Sequence, residues 1–264
     1  MIKELILTVA VATLITGCVT TEQVIIGKDS EGNPVYRDVG QIDLEKASKD
    51  RINLALRFIQ LRQMPEAKAN LEIAENYNPG SQDILLAWGR YFSTVGDKVS
   101  AEKVYKDAIS KYENGVTQTA YGSFLCNSGK YKEADAYFNK ATSDPKYQNM
   151  SYTYTLAATC SFDSGDKAKA QQYFEKAMNY GGTSPELLFN YASFCNEIGD
   201  YVRADHLMQT FDMFNKNSTA QTLMLKIKIA QGLHQDDNVK ALGSKLLRLF
   251  PKSNEAKNYA AGNF

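Results

Sequence analysis

GKYKEADAYFNKA, residues 129–141, is the stretch from which the fold of this 264-residue chain can be read. A glycine leads into a run that places Ala134, Phe138 and Ala141 on one face of an α-helix. Small, large, small along one stripe is what a helix needs in order to lie close against a neighbour. The same stripe returns along the chain. Ala67, Ala101, Ala134, Ala170, Ala204 and Val239 are separated by 34, 33, 36, 34 and 35 residues. Twelve positions earlier stand Ala55, Gly89, Gly122, Ala158, Ala192 and Ile227, and seven positions later Ala74, Ala108, Ala141, Ala177, Phe211 and Leu246. The large residue between them is Leu71, Tyr105, Phe138, Phe174 and then Met208, until Gly243 breaks the series. Several columns agreeing at one period define an internal repeat.

Each unit reads as two antiparallel helices joined by a tight turn. Gly96, Gly129, Gly165 and Gly199 stand five residues before the alanine, where a helix C-terminus needs a residue free to turn. Arg62 and His234 replace that glycine in the first and last units, and terminal repeats are often atypical because one face meets solvent. Spacing and residues resemble the tetratricopeptide repeat, a 34-residue helix-turn-helix unit, with Pro79 and Pro251 in its closing proline column. The expected fold is all-α, a tetratricopeptide repeat solenoid wound as a right-handed superhelix. Its domain would occupy residues 44–262, with repeats at about 48–81, 82–114, 115–150, 151–184, 185–219 and 220–253. A short capping helix would follow near residues 253–261. Such a solenoid offers a concave groove, so its expected product is a binding surface, and the chain is read as one array with no second domain.

The N-terminus points to an envelope. Leu5 to Ile15 is an uncharged, largely apolar run of 11 residues. A bilayer-spanning helix needs about 20, whereas this run has the length of a signal-peptide core, preceded by Lys3. Ile15, Thr16, Gly17 and Cys18 then resemble a bacterial lipobox, in which the cysteine thiol is alkylated by diacylglycerol and becomes the mature N-terminus. An ordinary signal peptide with a chance cysteine is the alternative. By resemblance, residues 1–17 form a lipoprotein signal peptide, Cys18 is the lipidation site, and Val19 fits sorting to the outer membrane. Residues 18–43 read as the lipidated N-terminus and tether. Val24 to Ile26 and Val35 to Tyr36 flank a turn at residues 29–34, which would suit a small hairpin. A flexible spacer is the simpler reading.

Composition excludes several classes of function. The chain has 30 Lys+Arg against 30 Asp+Glu, and so lacks the basic excess that phosphate neutralisation requires; no nucleic-acid partner is expected. The balance also fails to support a polybasic membrane-surface protein. Its 44% hydrophobic and 23% charged residues are those of an ordinary globular chain. Only two histidines occur, His206 and His234, in different repeats, and no metal-binding or nucleophile motif is present. The reading is therefore of a non-enzyme without cofactor or metal.

Cys126 lies four residues after Gly122, and Cys160 two after the equivalent Ala158. That two-column offset is about 200° of helix rotation and about 3 Å of rise. Stacked first helices meet through opposite faces, so the offset favours side chains that point at each other. The alternatives are a bridge stapling repeats three and four and two buried thiols. Cys195 falls in a column with Phe58, Phe92 and Leu125 and reads as a free, buried thiol. Positions 2, 5, 9, 12 and 13 of each repeat give the expected groove. These are Ile52, Leu56 and Ile59, then Leu86, Arg90 and Ser93, then Thr119, Ser123 and Asn127. Tyr152, Thr155, Thr159 and Phe162 follow, and Phe189, Ser193 and Asn196 complete it. A mixed apolar and hydroxyl surface suits an extended segment or amphipathic helix of a partner.

Particular stretches narrow the family. They are AYGSFLC at 120–126, GKYKEADAYF at 129–138, DPKY at 144–147, QYFEKA at 172–177 and LFPKSNEA at 249–256. These resemble the type IV pilus biogenesis and stability lipoproteins, the PilW/PilF-type pilotin family, over residues 44–260 and the lipobox. The departures are the missing glycine in repeat six and Tyr180, Gly181 and Gly182 where a closing Asp-Pro is usual. The resemblance implies a Gram-negative outer-membrane lipoprotein, lipid-anchored on the periplasmic face. It would bind the pilus secretin subunit and promote its outer-membrane localisation and multimerisation. The rival reading is a general periplasmic scaffold lipoprotein, serving cell-wall enzymes or outer-membrane assembly through the same groove.

Overall fold

The computed structural model describes residues 23–28, 32–38 and 43–264; Cys18, expected as the lipidation site, and residues 1–17, expected as a signal peptide, lie outside the described residues. The chain divides into two compact units, Met1–Ile84 and Leu85–Phe264, where the sequence reads as one array. The dividing point falls in the first turn of a helix.

The first unit opens with an antiparallel strand pair, β1 (Gln23–Lys28) and β2 (Pro34–Asp38), with a bulge between Ile25 and Gly27. The segment expected as a spacer thus contains a hairpin: its run of β-branched residues favours extended backbone, and Gly32 turns with φ of 87°. Helix α1 (Leu44–Gln60) starts where the Asp43 carboxylate accepts a hydrogen bond from Lys46 N, and α2 (Met64–Tyr77) runs back along it. Ala55, Ala67, Leu71 and Ala74 are fully buried. Ser48 Oγ donates to the Ala74 carbonyl at 2.8 Å, so a small polar residue is accommodated at the contact.

The second unit continues with α3 (Gln82–Val95), α4 (Lys98–Lys111), α5 (Gly115–Asn127) and α6 (Tyr131–Ser143). Then come α7 (Met150–Asp163), α8 (Lys167–Asn179), α9 (Pro185–Glu197) and α10 (Tyr201–Phe214). The chain ends in α11 (Ala220–Gly232), α12 (Asp236–Leu249) and the short α13 (Asn254–Ala260). This is the all-α tetratricopeptide architecture. The repeat columns form its core: Ala101, Ala134, Ala170 and Ala204 have no exposed surface. A Cβ on Gly122 would lie 2.8 Å from the Phe138 ring, so the glycine is what lets the two helices of that repeat approach. Phe174 stacks on Tyr191 of the next repeat, ring centroids 4.8 Å apart.

The turns share one geometry. After α9, Gly199 takes φ of 81° and Asp200 N donates back to the Cys195 carbonyl at 2.9 Å, the six-to-one bond that closes a helix C-terminus. Asp200 then caps α10 by accepting from Arg203 N, and Asp97 and Asp166 do likewise for α4 and α8. Arg62 and His234 adopt the same left-handed conformation, φ 59° and 58°, with the equivalent bonds from Gln63 N and Gln235 N also at 2.9 Å. The end repeats keep the turn without its glycine.

Gly243, the break in the large-residue column, has its own reason. A side chain there would run into the Tyr259 ring of α13, which supplies from outside the bulk the column omits.

Candidate functional site

Within the second unit the helices fall into two rows. α5 packs closely on α7, α7 on α9 and α9 on α11, whereas α8 reaches α6 and α10 through long polar side chains: Lys169 and Tyr173 donate to Asp135, and Glu175 pairs with Arg203. The first helices therefore crowd together and the second helices splay, which makes the row of first helices the inner face. Residues at positions 2, 9 and 13 reach that face. Val116, Tyr152, Glu186 and Gln221 hold position 2, and Asn127, Asp163 and Glu197 hold position 13; all are exposed. Position 9 gives exposed Arg90 and half-buried Ser123, Thr159, Ser193 and Lys228.

Position 5 departs from expectation because it points into the stack. Thr119, Thr155 and Met224 are buried, and in the first unit so are Ile52 at position 5 and Ile59 at position 12. Thr119, Thr155, Ile52 and Ile59 keep almost no surface for a partner, while Met224 still lines a recess between α9 and α11. Leu86, Phe162 and Phe189 are half-buried and give the surface some apolar character, and Leu56 of the first unit is half-buried within its own helix pair. Thr119 has a different task. Its Oγ1 lies 3.1 Å from Tyr147 Oη and 2.8 Å from Thr153 Oγ1, and the latter two are 2.8 Å apart. Three hydroxyls in a closed ring can each donate once and accept once, which satisfies all three inside the core. The ring ties α5, the α6–α7 loop and α7 together, and Gly115 makes room for Tyr147.

The inner face carries charge the sequence reading missed. Tyr152 is half exposed; burial of its hydroxyl and then Glu186 hold its pKa up, while Arg90 opposes them, so the three share one neighbourhood. Burial likewise raises the Asp163 carboxyl. Where α9, α11 and α13 meet, a recess of about 240 Å³ is lined by Ser193, Asn196, Glu197, Gln221, Lys228 and Glu255 among others. The Thr159 and Ser193 hydroxyls donate to the carbonyls four residues back, at 3.0 and 2.8 Å. The missed acids occupy positions 2 and 13, so the periodicity held the signal.

Cys126 and Cys160 are disulfide-bonded, Cα atoms 5.8 Å apart, joining α5 to α7 within the inner row. Cys195 is free and buried, its thiol pushed up to about 12 by burial, which suits packing and not nucleophilic chemistry. Among the described residues no cluster of three or more His, Cys, Asp or Glu could hold a metal ion, and no helix is long and apolar enough to cross a membrane.

Comparisons with known proteins agree with this geometry. A tetratricopeptide repeat family model matches residues 151–180, the fourth repeat. The chain is 28% identical over 250 residues to the type IV pilus assembly protein PilF of Pseudomonas aeruginosa, covering 94% of each. It is 25% identical to an uncharacterised Haemophilus influenzae protein over 58% of this chain and 86% of that one. The solved structure of Pseudomonas aeruginosa PilF superposes with a TM-score of 0.64 at 26% identity, covering 83% of this chain and 99% of that one. PilW, described as a widely conserved type IV pilus biogenesis factor, superposes at 0.69 with 22% identity, covering 81% and 98%, and shares the fold.

Proposed function

From the premise that this chain is a tetratricopeptide relative of the type IV pilus biogenesis proteins, we propose that it is a pilotin. It binds the pilus secretin subunit along the inner row of helices and promotes the subunit's outer-membrane localisation and multimerisation. Full-length kinship to a pilus assembly protein is the observation that carries this reading. The inner face supports it, because half-buried apolar residues beside hydroxyl side chains suit an extended or amphipathic partner segment. Acyl chains on Cys18 hold the protein to the periplasmic face of the outer membrane, each buried methylene contributing about 0.8 kcal/mol. Tethering then raises the local concentration of a partner already near the membrane. No bond is made or broken by the protein itself.

The test replaces Cys18 with Ala and compares secretin multimers in outer-membrane fractions with those of the unaltered strain. Loss of multimers is expected. Unchanged multimers and unchanged piliation would refute lipid-dependent escort.

A further inference from the structure

A second recess, open and about 580 Å³, lies on the flank of the repeat unit between the α4–α5 turn and α6, away from the inner row. Gln118 of α5 lines it and is only 9% exposed, and its Oε1 is fully buried with no hydrogen-bond partner. A buried acceptor left unpaired is costly and uncommon. In the corresponding column the other repeats of this unit have Leu85, Tyr154, Leu188 and Leu223, so the fold does not require a carboxamide there. Carboxylates flank it: Glu113 and Asp144 both line the recess, and Asp144 uses one oxygen to accept from Lys146 N. The one lining cation, Lys140, holds its Nζ 5.1 Å from the centre of the Tyr137 ring. Asn139 is already committed, donating to Asp135 and accepting from Tyr173. Acceptors therefore predominate in the lining, with Glu113, Asp144 and the Gln118 oxygen set against the single Lys140 ammonium.

We propose that this recess receives an arginine side chain of a partner protein. Rotation about the broad terminal torsion of Gln118 brings its oxygen to the recess without moving backbone. A guanidinium, with five donors in one plane, then bridges that oxygen and the two carboxylates. The recess thus forms an anchor point on the outer flank, independent of both the inner groove and the lipid.

The test titrates nitrogen-15-labelled full chain with N-acetyl-arginine amide and, separately, with N-acetyl-citrulline amide, its neutral isostere. Arginine should shift the Gln118 side-chain amide and the Asn114 and Asn139 backbone signals saturably, with citrulline roughly tenfold weaker. Glu113→Gln with Asp144→Asn, which leaves the backbone cap at Lys146 intact, should weaken arginine about tenfold. Gln118→Leu should weaken it too while the chain stays folded. Absence of a saturable shift, equal binding of citrulline, or full affinity in the charge-removed variant would overturn the proposal.

Discussion

Replacing His234 with Gly should stabilise this protein, although it removes a side chain and adds nothing. His234 sits at φ 58°, where Gly96, Gly129, Gly165 and Gly199 take 77° to 86°, and the closing bond from Gln235 N is as short as that from Asp200 N. The backbone is thus the same with or without glycine, and the L-residue bears the steric cost of the left-handed region, about 1–2 kcal/mol. Glycine recovers that cost but loses roughly 0.5–1 kcal/mol to the greater freedom of its unfolded chain. His234 is exposed, so no packing is lost. The net gain is about 0.5–1 kcal/mol, a rise in melting temperature of roughly 1–4 °C for a unit of this size. Urea unfolding followed by far-ultraviolet circular dichroism should show a higher midpoint with an unchanged slope. Gly199→Ala is the mirror control and should lower the midpoint. If His234→Gly leaves the midpoint where it was, or lowers it, the assignment of strain to that turn is wrong.

Two further outcomes follow from the cysteines. Cys126→Ser with Cys160→Ser opens a bridge spanning 34 residues, which the chain-entropy estimate makes worth about 4 kcal/mol; a melting temperature within about 2 °C of wild type would contradict it. Cys195 keeps its proton up to about pH 12 when folded but ionises near pH 9 once unfolded. Its contribution to stability is therefore intact below pH 9 and falls by about 1.4 kcal/mol per pH unit from there toward 12. Exchange with a disulfide reagent at pH 8 should accordingly be slow until denaturant is added, and fast labelling of Cys195 in the native protein would refute its burial.

The repeats were legible because helix crossings admit only small residues, and Ala67 through Ala204 announce each crossing at a fixed interval. Family kinship was legible too, in the stretches around Cys126 and Phe138. The groove was only half legible. Position 5 points inward or outward according to how tightly the next repeat stacks, so Thr119 and Thr155 read as lining residues although both are buried. Gly243 looked like a lapse in a column because the residue that completes it, Tyr259, lies sixteen positions later in another helix. Residues 24–26 and 35–36 suited either a strand pair or a spacer, and local sequence does not choose between extended backbone that pairs and extended backbone that does not. Within the second unit Gln118 is the carboxamide in a column otherwise of Leu85, Tyr154, Leu188 and Leu223, but its meaning needed the recess beside it.

The Tyr259–Gly243 contact also governs how such a chain could grow. Each repeat leaves a face that the next one covers, and an uncovered face is an invitation to a second molecule. By seating Tyr259 in the notch of Gly243, α13 fills the place a seventh repeat would take. New units can therefore be gained by duplication inside the array, where each inherits two neighbours. A side chain at residue 243 would push Tyr259 out of that notch and loosen α13 from the last repeat, so the two positions can change only as a pair.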